Sequence, residues 1–289
     1  TPDGWDSREL LEPSKDDGIQ SFDDEGDVGV LRTWRAMCPA LQDRWPEAAR
    51  PEDWEGVTIE NGRVVELDLV DFGLTGAVPA EVGRLSALEE LDLNDNQLTS
   101  LPAEIGQLTL LETLNLRGNQ LTSVPAEIGQ LTALLLLDLE ENQLTSLPAE
   151  IGQLTALDQL SLVGNQLTSV PAEIGQLALL RELYLQSNQL TSLPAEIGQL
   201  GSLLSLTLEG NQLTSLPAEI GQLASLESLT LDHNQLTSLP AEIGQLRSLT
   251  ELLLNGNQLT SLPTAVGALQ ANGCEVKLDD GVTIDNLDS

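Results

Sequence analysis

A stretch of 23 residues recurs along most of this 289-residue chain, and this regularity constrains the fold more than any other feature. Its most uniform part, NQLTSLPAEIGQL, stands at residues 142–154. It begins again at Asn96, Asn188, Asn211 and Asn234, and with one Leu-to-Val change at Asn119 and Asn165. A fixed period of this length is typical of solenoids, in which each repeat packs only against its neighbours. We therefore expect one continuous core and an atypical cap at each end.

The leucines around each recurrent asparagine follow the pattern L-x-x-L-x-L-x-x-N-x-L, as in LEELDLNDNQL at residues 88–98. Successive side chains of a strand point to opposite faces. Leu91 and Leu93 should therefore point into the core, whereas Glu90 and Asp92 should point outward. One strand per repeat predicts a parallel sheet, and the chain must return behind it through a tight, partly helical segment.

These motifs resemble the leucine-rich repeat family over about residues 64–270, and the form LTSLPAEIGQL is similar to intracellular Ras-group repeats of the Scribble type. The first repeat, DFGLTGAVPAEVGRL at residues 71–85, is one residue longer and resembles plant-type repeats. The resemblance implies an α/β solenoid, a curved horseshoe of about nine repeats. It would have a parallel concave sheet and short helical or 3-10 turns on the convex side. It also implies a protein that acts through protein–protein contacts and has no catalysis of its own.

The recurrent asparagines are better interpreted as structural than as functional. A buried amide where each strand ends can satisfy backbone N–H and C=O groups of adjacent turns. We predict such an asparagine ladder at Asn96, Asn119, Asn142, Asn165, Asn188, Asn211, Asn234 and Asn257. The Glu of each PAEIG is likewise expected on a solvated convex face, in a row formed by Glu104, Glu127, Glu150, Glu173, Glu196, Glu219 and Glu242.

Residues 27–63 are predicted to form the N-terminal cap, a helix followed by a strand. Asp27 is the expected N-cap of the helix. The apolar stripe of this helix consists of Val30, Leu31, Trp34, Met37, Cys38 and Leu41. The end of the segment is similar to the plant-type cap, but Glu52 and Thr58 stand where that cap has its two cysteines. We therefore expect a cap without a disulfide.

The two ends of the chain are acidic. Residues 1–26 contain nine acidic residues against Arg8 and Lys15, and we expect a flexible arm there because apolar surface is scarce. Docking of this arm onto a partner is the alternative. Residues 271–289 are predicted to form a capping strand and an acidic tail.

The only two cysteines, Cys38 and Cys274, lie in opposite caps. Nine strands spaced by about 4.8 Å separate the caps by about 40 Å, far more than a disulfide spans. Free thiols are expected, which favours an intracellular, cytoplasmic location. The chain begins at Thr1 without Met, so an organelle stays open.

The chain has 12 Lys and Arg against 46 Asp and Glu, a formal net charge of −34. This charge opposes binding to nucleic acid or to an anionic membrane and favours cationic partners, most simply a basic protein. Acidity that serves only solubility is the alternative. The longest apolar run, residues 133–137, is far shorter than the roughly 18 residues of a membrane span, so no membrane insertion is expected.

No catalytic, metal or cofactor site is predicted. The single histidine, His233, has no second histidine, nucleophile or metal-ligand partner at a suitable spacing. We therefore do not expect an enzyme.

The outward strand positions vary from repeat to repeat, and they define the candidate site. Acidic residues are concentrated in the N-terminal half, and Tyr184 is the only aromatic residue in these columns. Tyr is enriched in binding hot spots. The predicted partner-binding residues are Tyr184, Glu66, Asp68, Glu90, Asp92, Asp95, Arg117, Leu136, Asp138, Glu140 and Glu182. Neutral variation of a solvated face is the alternative.

Two further functional hypotheses stay open. The chain could be a structural subunit of a larger assembly. Alternatively, its regular rows could bind ice or a mineral surface. The rows in question are the glutamates above and a threonine row, Thr99, Thr122, Thr145, Thr168, Thr191, Thr214, Thr237 and Thr260.

Overall fold

The computed structural model describes residues 26–284, so the arm expected over residues 1–26 and the end of the acidic tail lie almost entirely outside the described residues. The α-helices are α1 (Asp27–Met37), α2 (Pro39–Arg44) and α3 (Thr264–Ala271). The strands, in chain order, are β1 (Val57–Glu60), β2 (Arg63–Asp68), β3 (Thr75–Ala77), β4 (Glu90–Asp92), β5 (Gln97–Ser100), β6 (Thr113–Asn115), β7 (Leu136–Asp138), β8 (Gln159–Ser161), β9 (Glu182–Tyr184), β10 (Ser205–Thr207), β11 (Ser228–Thr230), β12 (Glu251–Leu253), β13 (Ser261–Leu262), β14 (Glu275–Lys277) and β15 (Thr283–Ile284).

One sheet of 11 strands runs the length of the molecule in the order β1-β2-β4-β6-β7-β8-β9-β10-β11-β12-β14. All pairs are parallel except β1 with β2. Each repeat strand pairs with the same positions of the next, as Leu91 does with Leu114. The leucines of each strand, such as Leu91, are fully buried, while the residues beside them face outward. The predicted solenoid with about nine repeat strands is confirmed.

A column of 3-10 helices forms the convex side. Besides Pro51–Asp53 in the cap, they are Ala80–Arg84, Ala103–Gln107, Ala126–Gln130, Ala149–Gln153, Ala172–Gln176, Ala195–Gln199, Ala218–Gln222 and Ala241–Gln245. Each repeat helix follows an extended Pro, whose missing N–H costs no hydrogen bond at a helix start. The helices stack closely because the position of Gly106 has no side chain. A Cβ there would lie 2.5 Å from the backbone oxygen of Glu127 in the next repeat.

The recurrent asparagines join each repeat to the one before it. The Oδ1 of Asn119 accepts the N–H of Leu98 at 2.9 Å, and its Nδ2 donates to the carbonyls of Leu93 at 2.9 Å and Leu116 at 3.0 Å. The other asparagines repeat this arrangement. Seven of them are buried, while Asn257 at the C-terminal end is partly exposed.

The N-terminal cap differs from the expectation at its first turn. Gly26 is the N-cap, and Asp27 is already helical, so the N-cap prediction for Asp27 is wrong. The Asp27 carboxylate instead accepts the Nε–H of Arg63 and the N–H of Val64, each at 2.9 Å, and so ties α1 to β2. Met37, predicted in the apolar stripe, is 57% exposed because α1 ends there and the chain turns into α2.

Aromatic residues complete the cap. The rings of Trp45 and Trp54 stack with their centroids 5.0 Å apart. Phe72 occupies the ladder position of the first repeat and is buried, and the guanidinium of Arg44 lies 4.6 Å from its ring centroid. An apolar ring therefore ends the asparagine ladder on the side where no earlier repeat offers carbonyls.

At the other end, α3 covers the last 3-10 helix, and β14 pairs in parallel with β12 as the last strand of the sheet. Cys274 is buried in this cap and Cys38 lies in the other. Both are free thiols, as predicted.

Candidate binding site on the concave face

The concave face is the outward side of the 11-stranded sheet, and its parallel register stacks equivalent residues side by side. Glu66 lies beside Glu90 in the first outward column. Asp68 lies beside Asp92 in the second. Equivalent residues of neighbouring strands are about 4.8 Å apart. Five of the predicted carboxylates are thus brought together, and we call Glu66, Asp68, Glu90, Asp92 and Asp95 the acidic cluster.

Like charges and partial burial act on the acidic cluster. Burial raises the pKa of Glu90, and the neighbouring Glu66, Asp92 and Asp68 raise it further. Burial also raises the pKa of Asp92, and hydrogen bonds from Asn94 and Asn115 only partly offset this. In the described part of the chain, the ion pairs include none with these five carboxylates. Their negative charge therefore has no cationic partner among residues 26–284.

Acids of the second column also have a local structural role. The Oδ1 of Asp92 accepts the backbone N–H of Asn94 at 2.9 Å. The Oδ1 of Asp138 accepts the backbone N–H of Glu140 at the same distance. In the repeat between them, Asn115 makes the equivalent bond to Arg117 at 3.1 Å. An amide therefore suffices for the turn, and the charge at this position is not needed for folding.

Arg117 changes how the acids of the fourth repeat must be understood. Its guanidinium lies 3.3 Å from Glu140 and 3.1 Å from Glu141. The sequence hypothesis placed Glu140 in one group with the acidic cluster, whereas the structure pairs it, together with Glu141, with Arg117. The pKa of Asp138 is nevertheless raised by burial, although the charge of Arg117 opposes the rise.

Tyr184 lies in a shallow depression of about 270 Å³ near the middle of the concave face. Its hydroxyl donates to the Glu182 carboxylate at 2.6 Å. Burial, followed by this hydrogen bond and the charge of Glu182, raises the pKa of Tyr184 to about 12. The depression is lined by Asp138, Glu140, Gln159, Ser161, Val163, Tyr184 and Gln186.

A small residue creates this depression. Asp138, Ser161 and Tyr184 occupy equivalent positions on three adjacent strands. Ser161 is buried between its two larger neighbours. The structure thus joins Tyr184 to Asp138 and Glu140. Leu136 lies in the first outward column and faces a different surface, at the edge of the sheet.

The column directly before the ladder was not identified from the sequence, although the signal was present. All nine residues there have positive φ, and from Asp95 onward glycine alternates with a larger residue. The column runs Asp71, Asp95, Gly118, Glu141, Gly164, Ser187, Gly210, His233 and Gly256. The Asp95 carboxylate leans over Gly118, and the His233 ring leans over Gly256. The conformations of Asp95 and His233 therefore each require a glycine at the equivalent position of the next repeat, Gly118 and Gly256.

Two further observations concern residues 26–284. No group of three or more His, Cys, Asp and Glu is arranged there to hold a metal ion. No helix in this part is long and apolar enough to cross a membrane.

Comparisons with known proteins identify the repeat. The family model described as a leucine-rich repeat region matches residues 61–169. A second, described as a leucine rich repeat, matches 163–213, 178–236 and 202–259. The chain belongs to the leucine-rich repeat family. Proteins of this family are interaction modules; the Ras-group and plant-type subtypes stay predictions.

Three solved structures are similar to this chain. A leucine-rich repeat protein of Leptospira interrogans is 45% identical over 74% of this chain and 52% of its own, with a TM-score of 0.65. The GASSHO1/SCHENGEN3 receptor kinase ectodomain of Arabidopsis thaliana, in complex with CASPARIAN STRIP INTEGRITY FACTOR 2, is 33% identical over 83% of this chain and 31% of its own, with a TM-score of 0.75. A plant ice-binding protein is 24% identical over 91% of this chain and 98% of its own, with a TM-score of 0.64, which shows a shared fold alone. The chain thus spans about half and about a third of the first two proteins.

Proposed function

We propose that this chain is a non-enzymatic interaction module that binds a basic protein segment on its concave face. The observation that carries the proposal is the acidic cluster, whose stacked carboxylates have no cationic neighbour among the described residues. A Lys or Arg side chain of a partner would relieve their mutual repulsion, as Arg117 already does for Glu140 and Glu141.

The column from Asp92 to Tyr184 suggests how such a segment would lie. Asp92, Asn115, Asp138, Ser161 and Tyr184 occupy equivalent positions on five adjacent strands. Four steps of about 4.8 Å give a path of about 19 Å, the length of about six extended residues. A basic segment crossing the strands would meet carboxylates at one end and the Tyr184 depression at the other. Tyr184 offers a large contact area at a small entropic cost.

A peptide selection tests this proposal and does not require the natural partner. A display library of random 12-residue peptides is selected on the immobilised chain, and the affinities of the enriched peptides are measured by calorimetry. We expect enrichment of Lys and Arg, and affinities that fall steeply as salt is raised, because exposed charges are screened.

The decisive variant is Asp92→Asn with Asp138→Asn, which keeps the turn hydrogen bond that Asn115 makes naturally. It should lower affinity by about tenfold to a hundredfold, which corresponds to about 1.4–2.7 kcal/mol. The matched control, Ser228→Asn with Thr230→Asn, changes two outward positions of β11, two strands from Tyr184, without a change of charge. Selected peptides without basic residues, or equal losses in both variants, would contradict the proposal.

A second candidate function rests on the threonine row. All eight threonines of this row are exposed, one repeat apart, on the segment between the ladder and the 3-10 helices. Such regularity could match the spacing of a crystal surface, ice among them. Thermal hysteresis of the purified chain is the test, and freezing-point behaviour equal to that of a matched albumin solution would exclude ice binding. The role of an assembly subunit stays a prediction, which purification from the native source would test.

A further inference from the structure

Exposed leucines gather at one edge of the sheet. The large apolar side chains most exposed in the described residues are Met37 in the cap and Leu110, Leu135 and Leu179 in the repeats. The three leucines are 53%, 44% and 56% exposed. Each lies between the end of a 3-10 helix and the start of the following strand. In a chain with a net charge of −34, three exposed leucines along one edge require an explanation.

A groove of about 620 Å³ lies between two of these leucines. Leu135 and Leu179 stand on its two sides, in the fourth and sixth repeats, and Ala156 of the fifth lies between them. Ala156 occupies the repeat position that Leu110 and Leu179 fill with leucine. Every repeat has the same backbone conformation, so the small side chain of Ala156 leaves open space between the two leucines. Neighbouring residues do not fill this space.

The groove is continuous with the concave face. Leu136 and Gln159 line the groove and are also paired neighbours in the first outward column of the sheet. Gln159 in addition lines the Tyr184 depression. A segment lying across the depression can therefore place one side chain over the edge and into the groove.

The charges around the groove decide between possible occupants. Asp158 and Arg181 face each other at 4.0 Å across the groove lining, so their charges largely cancel. Two acidic residues adjoin the groove: Glu112 lies one repeat before Leu135, and Glu182 pairs with Gln159 of the groove lining. A second copy of this chain would bring another net charge of −34 to this edge, which disfavours self-association. A basic partner with an apolar side chain meets no such repulsion.

We infer that the groove binds a large aliphatic or aromatic side chain of the same basic segment that the concave face binds. This inference rests on the proposed function and adds an apolar anchor to the basic residues that the partner must carry. Apolar anchors in well-packed pockets supply much of the affinity of protein interfaces, while surrounding charges set orientation and rate.

The test uses the same 12-residue display library and a variant that fills the groove, Ala156→Leu. Leu110 and Leu179 show that the repeat accommodates leucine at this position. Peptides selected on the unmodified chain should contain Lys or Arg together with one large apolar residue at a fixed spacing. Ala156→Leu should weaken their binding at least tenfold. Leu135→Ser with Leu179→Ser should weaken it similarly, whereas the matched control Leu110→Ser, outside the groove, should leave it unchanged.

A double-mutant cycle shows whether Ala156→Leu weakens binding by excluding the apolar side chain of the peptide from the groove or by an indirect effect on the rest of the site. A peptide whose apolar residue is replaced by Ser should bind the unmodified chain and Ala156→Leu with equal, reduced affinity. If that peptide is also weakened tenfold by Ala156→Leu, the groove does not hold the anchor and the inference is overturned.

Other outcomes separate the two proposals. Selection of basic peptides without an apolar position would overturn the inference and leave the proposed function intact. Selection without basic residues would contradict the proposed function itself. A dimer in sedimentation experiments that Leu135→Ser with Leu179→Ser dissociates would assign the groove to a second copy, and so would also overturn the inference.

Discussion

The two halves of the concave face share a backbone and differ in chemistry. In the N-terminal half, β2 and β4 present Glu66, Asp68, Glu90 and Asp92. In the C-terminal half, β10 and β11 present Ser205, Thr207, Ser228 and Thr230 at the same strand positions. Strand pairing is parallel and in the same register in both halves.

This comparison separates what the fold requires from what the surface adds. The repeat backbone accommodates a carboxylate or a hydroxyl at the same strand position, so folding does not require the acids of the N-terminal half. Burial and mutual repulsion raise the pKa of Glu90. The charge of Glu90 therefore opposes stability, and the proposed binding role gives a reason for it.

The largest expected effect is a loss of stability, and it tests whether the asparagine ladder stabilises both halves of the solenoid equally. Asn96→Ala and Asn211→Ala each remove a carboxamide that accepts one backbone N–H and donates to two or three carbonyls. Leaving those buried groups unpaired should cost about 3 kcal/mol. We expect urea unfolding to give the same loss for both variants, since both side chains are 6% exposed. A difference well beyond about 1 kcal/mol would show that the two halves are held differently.

The next effect is a loss of peptide affinity, and it tests whether the acidic residues of the N-terminal half cause binding. Asp92→Lys with Asp138→Lys reverses two charges in the second column and should reduce the affinity for a selected basic peptide by more than about a hundredfold, or about 2.7 kcal/mol. Ser228→Lys with Thr230→Lys adds the same two cations to β11. Thr230 lies four strands, about 19 Å, from Asp138 and two strands from Tyr184. Salt screens charges beyond about 10 Å, so calorimetry should show a change of less than about threefold. Equal losses would mean that net charge alone governs binding.

The smallest effect is a pH dependence of stability. Because the pKa of Glu90 is raised by folding, the folded chain binds more protons than the unfolded chain from about pH 4, the ordinary carboxyl pKa, up to the raised value. Glu90 therefore makes the chain less stable as the pH rises through that window. Glu90→Gln should stabilise the chain by a few tenths of a kcal/mol at pH 7, an amount that solvent screening keeps small, and should flatten the dependence.

Glu251→Gln is the matched control for that effect. Glu251 occupies the same column but accepts a hydrogen bond from Ser228 at 3.3 Å and lies 3.9 Å from the Lys277 ammonium. We expect no stabilisation from this change in thermal unfolding at pH 7. A gain equal to that of Glu90→Gln would indicate that repulsion within the acidic cluster is not the cause.

The strands and the asparagine ladder could be predicted from the sequence because they depend on residue types that recur in every repeat. Leucines two apart and asparagines one repeat apart specify strands and a ladder wherever they occur. The site was less predictable, because it depends on contacts between columns. Arg117 reaches Glu140 and Glu141 in the next repeat, which the outward positions alone do not reveal. Asp27 was misassigned for a similar reason, since its partners Arg63 and Val64 are distant in sequence.

The edge groove was not predicted from the sequence for another reason. Its walls, Leu135 and Leu179, and its small residue, Ala156, belong to the segments before the strands and not to the outward strand positions. The sequence does show alanine at a position where two other repeats, at Leu110 and Leu179, carry leucine. Only the structure shows that the space beside that alanine stays open.

The alternation of glycine and larger residues before the ladder limits how the length of such a chain can change. Asp95 and Glu141 are separated by Gly118, one repeat from each. Loss of a single repeat, residues 96–118, would bring Asp95 and Glu141 onto neighbouring repeats, so that two acidic side chains with positive φ would meet where a glycine now stands. Loss or gain of two repeats would preserve the alternation. A pair of repeats, 46 residues, is therefore the unit by which this solenoid can be lengthened or shortened while a glycine still separates the larger residues of this column from Asp95 onward.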